Sequence, residues 1–174
     1  MPPPPMEFAA FYKQELRPVL IFLYSQGATW DDAWDAAQDA FTDALKSWEE
    51  IHTPRSWVRT AAMRAAARRD KRRSTDVACA VRGDWLPRPI FTDLVVSTEA
   101  ALVMRMLRRL PSRQGQVIAL TTDGFKPREI ASILGISSAA ARTNLRLARR
   151  ALVVMLEQPD ARVKREEEAS HEGK

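Results

Sequence analysis

The segment 129–137 constrains the fold of this chain most, because it defines two helices and the turn that joins them. Apolar residues at helical spacing predict a short helix whose inward face includes Leu134, and Ala131 is small enough to let a second helix approach. Gly135 can adopt a left-handed conformation at the turn without the penalty that a Cβ atom imposes. Ser137 can cap the helix that follows. The pattern predicts a helix-turn-helix.

A helix with a basic face follows this turn. Its arginines recur at i, i+4, i+7 and i+8 and therefore share one face, opposite small and aliphatic residues. The basic set is Arg142, Arg146, Arg149 and Arg150, and the inward set is Ala141, Leu145, Ala148 and Leu152. Arginine here can form paired hydrogen bonds to guanine in the major groove or bind phosphates. An arginine run on a helix is more often only a solvated surface, but the preceding turn favours DNA binding.

The clearest amphipathic helix lies in the first half of the chain. It follows Thr29, a suitable N-cap, and carries aspartates in its first turn that complement the helix dipole. Its predicted buried face is Trp30, Ala33, Trp34, Ala37, Phe41, Ala44, Leu45 and Trp48. Between Trp30 and Glu50 there are seven acidic residues and one lysine, so the opposite face is strongly negative.

A basic helix follows the acidic one. Thr53 and Pro54 resemble an N-cap and a first-turn proline, and they predict a helix over about 55–69. Between residues 55 and 73 there are eight basic residues and one acidic residue.

Upstream, Pro18 interrupts an apolar pattern that begins at Phe8. Since proline suits a first helical turn better than a helix interior, we expect two short helices there.

Stretches without helical periodicity divide the chain into domains. A linker is predicted over 74–96, where glycine and prolines punctuate a length that is unusual for a loop within one domain. Residues 1–7 and 157–174 are predicted to be disordered tails, the first proline-rich and the second charged and poor in apolar residues. We expect an all-α chain with two small helical domains, 8–73 and 97–156, joined by a flexible linker, the second being the helix-turn-helix domain.

The composition excludes several classes of function. The 174 residues carry a formal net charge of +5, which favours a polyanionic partner. Cys79 is the only cysteine, and His52 and His171 are the only histidines, so we expect no disulfide framework, no histidine metal cluster and no Ser-His-Asp triad. No apolar run is long enough to span a membrane, and the start lacks the features of a signal peptide. The expectation is a cytoplasmic protein with no catalytic site, metal, cofactor or membrane insertion.

Four segments together resemble the extracytoplasmic-function group of bacterial sigma factors, within the sigma-70 family. Residues 107–120 are similar to the opening of that family's fourth conserved region, and residues 125–152 to its helix-turn-helix. Residues 33–41 are similar to the polymerase-binding helix of the second region, and residues 53–73 stand in the place of its promoter-melting helix. The order and the linker length also agree. This joint occurrence is more specific than a helix-turn-helix alone, which many regulators contain.

The resemblance implies a factor that binds core RNA polymerase and directs promoter-specific transcription initiation, without being an enzyme. The acidic helix would dock on a coiled coil of the largest polymerase subunit through Asp35, Gln38 and Asp39. A carboxylate-rich face is complementary to a basic partner, which agrees with this assignment. Beside polymerase and promoter DNA, an anti-sigma factor is left open as a third partner.

The resemblance also assigns DNA contacts. The helix after the acidic one would bind the minus-ten element, and the family uses an Asn and an Asp on it for this contact. This chain has Arg64 and Arg68 at the matching positions. Arginine reproduces neither the paired donor and acceptor of Asn nor the acceptor of Asp. We therefore expect its strand opening and its minus-ten preference to differ from those of its relatives. Phosphate contacts on this helix are assigned to Arg59, Arg68, Arg69, Lys71, Arg72 and Arg73.

The helix-turn-helix would read the minus-thirty-five element. Because the N-terminal part of a recognition helix enters the major groove, base contacts are assigned to Arg142 and Arg146, with Asn144 beside them, and phosphate contacts to Arg149 and Arg150. Thr143 is predicted to contact DNA as well. The alternative is a free-standing helix-turn-helix regulator with an N-terminal sensor or dimerisation domain. Such a domain would not require an acidic helix followed by a basic one, and a regulator of that kind would shift promoter DNA without polymerase.

Overall fold

The computed structural model describes residues 6–75 and 98–157, with the side chains of 72–75 and 98 left out. Within these ranges the chain forms helices and no strand, which confirms the all-α prediction. The helices are α1 (Met6–Ser25), α2 (Trp30–Lys46), α3 (Pro54–Thr75), α4 (Thr98–Arg109), α5 (Ser112–Thr122), α6 (Pro127–Leu134) and α7 (Ser138–Glu157), with a 3-10 turn at Trp48–Glu50. Residues 1–5 of the predicted tail 1–7, residues 76–96 of the predicted linker and residues 158–174 of the predicted second tail lie outside the described residues. Met6, Glu7 and Glu157, which were predicted to belong to the tails, lie in helices.

Helix α1 corrects the prediction of two short helices, because it runs unbroken through Pro18. Proline in a helix interior costs about 3 kcal/mol, since it cannot donate the backbone hydrogen bond and crowds the preceding turn. Val19, Leu20 and Leu23, directly after it, are 0%, 0% and 1% exposed. Burying each of these side chains stabilises the fold by about 1.5–3 kcal/mol, so their packing on one continuous helix outweighs the cost.

Helices α2 and α3 pack closely through small side chains. Thr29 caps α2 by accepting a hydrogen bond from the backbone N–H of Asp32 at 3.2 Å, as predicted. The predicted buried residues Ala33, Ala37, Phe41 and Ala44 are buried, and the sequence pattern missed Ala36 and Ala40, which are buried as well. The predicted tryptophans and Leu45 are only half-buried and pack against the edge of the core.

The predicted helix-turn-helix is confirmed in α6 and α7. Gly135 has φ 63° and ψ 39°, a left-handed conformation that ends α6, and the N–H of Ile136 donates to the carbonyl of Ala131 at 3.0 Å. Ser137 then caps α7, because its Oγ accepts from the N–H of Ala140 at 3.0 Å. The turn residues therefore act as their side-chain chemistry predicts.

The two halves of the chain pack against each other. Helix α3 contacts α6, and α1 contacts both α4 and α5. One cluster of buried apolar residues includes Leu20 and Val58 from the first half together with Leu120, Phe125 and Ile130 from the second. The described residues thus share a core, an arrangement that the sequence analysis did not predict. Helix α3 also extends to Thr75, two residues past the predicted end of the first domain at 73.

Candidate nucleic-acid interface

The basic face of α7 is open to solvent. All the predicted basic residues of this helix, together with Thr143, are exposed; they are Arg142, Arg146, Arg149 and Arg150. The opposite face packs on the rest of the second half, with Ala141 and Ala148 1% and 0% exposed. A helix held by its apolar side and presenting guanidinium groups on the other can lie in a major groove or along phosphates.

Asn144 is less exposed than the other predicted DNA-contact residues of α7. It is half-buried, and its Nδ2 donates to the carbonyl of Ala140 in the same helix at 2.9 Å. That hydrogen bond uses a donor that reading a base edge would need, so in this structure Asn144 is oriented along its own helix. Arg142 and Arg146 are the members of the predicted base-reading set that are exposed, and Thr143 between them is exposed as well.

Arg113 supports the turn between α6 and α7, a role that the sequence analysis missed. Its Nη1 donates to the carbonyl of Leu134 at 3.3 Å and to the Oε1 of Gln116 at 3.1 Å. A cation at a helix C-terminus is stabilised by the helix dipole and satisfies a carbonyl that has no partner within the helix. At the other end of α6, the N–H of Lys126 donates to Glu129 at 2.7 Å.

The acidic face of α2 is partly engaged within the chain. Asp35 is exposed, whereas Gln38 is half-buried and donates from Nε2 to the hydroxyl of Tyr12 at 2.9 Å. Asp39 forms an ion pair with Arg69 of α3 at 2.9 Å, with its side chain 49% exposed. The structure therefore brings the predicted polymerase-binding residues to one helix surface, where a partner could compete for Asp39.

The predicted DNA-contact residues of α3 differ in their exposure. Arg64, Arg68 and Lys71 are exposed, and Arg69 is half-buried against α2, while the side chains of Arg72 and Arg73 lie outside the described residues. Arg59 is 0% exposed. The predicted phosphate contact of Arg59 cannot form in this arrangement, because its guanidinium group lies between the two halves of the chain.

Arg59 belongs to a group of four charged residues that we name the interdomain charge cluster: Glu15 of α1, Arg55 and Arg59 of α3, and Asp123 after α5. Arg59 Nη2 donates to Glu15 Oε2 at 2.8 Å, and Arg59 Nε donates to Asp123 Oδ2 at 2.9 Å. Arg55 donates from Nε to Glu15 Oε1 at 3.0 Å and from Nη2 to the Asp123 carbonyl at 2.9 Å. The two positive and two negative charges balance. Phe125 lies beneath both guanidinium groups, 4.8 and 5.6 Å from its ring centroid.

Glu15 and Asp123 were not predicted to be members of this cluster. Glu15 is 3% exposed and lies three residues after Tyr12 and four before Val19, on the inward side of α1. A carboxylate at an inward position of an apolar helix is the one sequence signal that could have indicated a buried partner, since charges are almost never buried unpaired. Nothing near Asp123 distinguishes it from an ordinary helix-ending residue.

A second contact between the halves involves Arg108 of α4. Its guanidinium carbon lies 4.7 Å from the ring centroid of Tyr24, and its Nη2 donates to the carbonyl of Gly27 at 3.3 Å. Tyr24 in turn stacks on Trp30, with ring centroids 3.7 Å apart and an interplanar angle of 3°. Trp30, predicted as core, therefore forms part of a stack that ends on an arginine from the other half.

None of the helices between residues 6 and 75 or 98 and 157 is long and apolar enough to cross a membrane. In the same ranges, no group of three or more His, Cys, Asp or Glu side chains is arranged to hold a metal ion.

The chain is similar to known proteins in one segment of its sequence and in its fold. Residues 100–152 match the family model for region 4 of sigma-70 factors. The fold is similar to that of CnrH, solved in complex with the cytosolic domain of CnrY, with a TM-score of 0.64 and 22% identity over 88% of this chain and 89% of that one. It is also similar to the sigma factor RpoE of Bartonella quintana, solved with the anti-sigma factor NepR, with a TM-score of 0.66 and 18% identity over 88% and 99%. No curated protein sequence matches the chain. These likenesses confirm the resemblance to sigma factors that the sequence motifs indicated.

Proposed function

We propose that this chain is a sigma factor of the extracytoplasmic-function group, which binds core RNA polymerase and directs initiation at specific promoters. One observation carries the proposal: residues 100–152 match region 4 of sigma-70 factors, and the same residues fold into a helix-turn-helix whose arginine face is exposed. The proposed role is binding and not catalysis, with no cofactor, and the proposed location is the cytoplasm, where promoter DNA and polymerase are found.

The polymerase contact is assigned to the acidic surface of α2. Asp35 and Asp39 are exposed on this helix, and a basic coiled coil would exchange the Asp39–Arg69 ion pair for intermolecular ones. Such an exchange costs little, because exposed ion pairs contribute only about 0–1 kcal/mol. Opposite charges would also accelerate the encounter of the two proteins.

The DNA contacts are assigned to α7 for the minus-thirty-five element and to α3 for the minus-ten element. Arg64 and Arg68 are both exposed on α3. They would hold phosphates or stack on bases where relatives use an Asn and an Asp. Permanganate mapping of the open promoter with wild type and with the Arg64→Asn/Arg68→Asp variant tests this assignment, and equal opening of the same promoters by both would contradict it.

An anti-sigma factor is a further proposed partner. RpoE of Bartonella quintana was solved with its anti-sigma factor, and the likeness to that structure extends over most of both chains. The same extent weighs against a free-standing regulator, since a sensor domain would have no reason to share the fold of the first half.

Run-off transcription is the test of the proposed function. Purified chain added to core polymerase should give transcripts from a subset of genomic promoters, whereas core polymerase alone should give none. A mobility shift of the same promoters by the chain without polymerase, together with no transcript when polymerase is added, would indicate a free-standing regulator instead.

A further inference from the structure

Two short strips of exposed charge lie on neighbouring helices in the first half of the chain. Asp35 and Asp39 of α2 are both exposed, four positions apart. Arg64 and Arg68 of α3 are exposed at the same spacing. Side chains four positions apart lie on one face of a helix, so each pair forms a strip. We name the first pair the acidic strip and the second pair the basic strip.

The two strips belong to adjoining surfaces of opposite charge. Helices α2 and α3 pack directly against each other. Asp39 of the acidic strip forms an ion pair with Arg69 of α3 at 2.9 Å, so the negative surface of α2 and the positive surface of α3 meet at this pair. The neighbouring residues strengthen the contrast, since 30–50 contains seven acidic residues and one lysine, and 55–73 contains eight basic residues and one acidic residue.

Most of the charge of the two strips is not neutralised within the chain. Asp35, Arg64 and Arg68 form no ion pair within the part of the chain that the structure describes. Asp39 has a partner in Arg69, but its side chain is 49% exposed, so a second guanidinium group can reach it. Such a surface attracts a partner with the complementary arrangement of charge. A second copy of the chain carries that arrangement.

We propose that the free chain forms a two-fold dimer in which the acidic strip of each copy docks on the basic strip of the other. A two-fold axis through the boundary at Asp39 and Arg69 brings opposite charges together, and every ion pair across the interface then forms twice. Arginine suits this contact, because its guanidinium group can donate two parallel hydrogen bonds to one carboxylate. Each exposed ion pair contributes little, so the dimer is transient and is weakened by salt.

The dimer belongs to the chain alone, whereas its consequence rests on the proposed sigma-factor function. The acidic strip is the surface assigned to polymerase, and the basic strip lies on the helix assigned to the minus-ten element. A second copy therefore competes with both partners for the same side chains. The dimer holds the factor away from polymerase and promoter DNA when the chain is in excess, and polymerase dissociates the dimer by mass action.

Sedimentation equilibrium of the full-length chain tests the dimer. The wild type should dimerise at about 0.1 M salt, where the Debye length is about 10 Å, and should be monomeric at about 1 M, where it is about 3 Å. Asp35→Arg/Asp39→Arg should raise the dissociation constant of the dimer by about tenfold or more, because it leaves only positive charge on the surface. Arg64→Glu/Arg68→Glu should do the same by leaving only negative charge.

Mixing the two variants separates docking of the strips from a general effect of charge. One variant presents two positive strips and the other two negative strips, so an equimolar mixture should form a mixed dimer although neither variant dimerises alone. A matched control is Glu7→Arg/Glu157→Arg, which changes the net charge as much as Asp35→Arg/Asp39→Arg does, at exposed positions outside the strips. This control should dimerise like the wild type.

Three results overturn the proposal: a wild type that is monomeric at about 0.1 M salt, a mixture of the two variants that stays monomeric, or a control that loses the dimer. Arg146→Glu/Arg149→Glu should leave the dimer intact, and its loss in this variant would mean that α7 and not α3 binds the acidic strip. Circular dichroism verifies the helix content of each variant. If a charge reversal unfolds the chain, Asp35→Asn/Asp39→Asn decides by a weaker dimer than that of the wild type.

Run-off transcription distinguishes failure of this proposal from failure of the proposed function. A chain that dimerises through the strips but gives no transcript with core polymerase refutes the sigma-factor function and leaves the dimer established. A chain that directs transcription but is monomeric at low salt refutes the dimer and leaves the function established.

Discussion

The turn of the helix-turn-helix offers a matched pair of glycine substitutions with opposite expected signs. Gly135 has φ +63°, and a Cβ added there would meet no atom within 4 Å. The cost of Gly135→Ala is therefore conformational alone, about 1–2 kcal/mol for an alanine in the left-handed region. Gly115 lies within α5, where an added Cβ would meet Gln26 Oε1 and the Leu107 carbonyl at 3.5 Å, an ordinary contact distance. Gly115→Ala should stabilise the chain by about 0.5–1 kcal/mol, since alanine favours the helix.

Thermal and urea unfolding followed by circular dichroism measure both changes. Because the buried apolar residues of the two halves form one cluster, we expect a single transition that reports on either site. For a chain of this size, 1 kcal/mol shifts the Tm by about 2–4 °C, so Gly135→Ala should lower it by about 2–8 °C. Gly135→Asn should cost less than Gly135→Ala, because asparagine tolerates the left-handed region better. Equal stability of the Gly135→Ala and Gly115→Ala variants would refute the reasoning.

Two further predictions concern the binding surfaces. The Asp35→Arg/Asp39→Arg variant reverses both charges and should reduce co-purification with core polymerase by about a hundredfold or more. Its circular dichroism should be unchanged, because both side chains are exposed. Recovery of polymerase at the wild-type level would contradict the assignment of this face. Arg142→Ala should weaken binding of the holoenzyme to promoter DNA by about 1–3 kcal/mol through the loss of discrimination at one base position. Arg149→Ala should weaken binding to all promoter sequences alike and should lower the slope of log affinity against log salt concentration by about one. Titrations of single-base minus-thirty-five variants across a salt series measure both effects, and unchanged base discrimination in Arg142→Ala would contradict the base-reading role.

Local chemistry explains which elements could be predicted. The N-cap at Thr29, the turn at Gly135 and the cap at Ser137 each depend on residues at most four positions away, and all three form as expected. The arginine face of α7 follows from helical periodicity in the same way. Where tertiary burial competes with local preference, as at Pro18, the local rule was wrong, because buried side chains on one continuous helix outweigh a missing hydrogen bond.

The amino-acid sequence by itself determined the all-helical class, the helix-turn-helix and the acidic and basic helix surfaces, since each is encoded by residues within one or two helical turns. Only the tertiary structure decided the fate of Arg59. On its own helix it is one arginine among several, yet Asp123, 64 positions away, removes it from solvent. An ion pair over that separation has no periodic signature, because its geometry depends on how the two halves pack and not on any spacing along the chain.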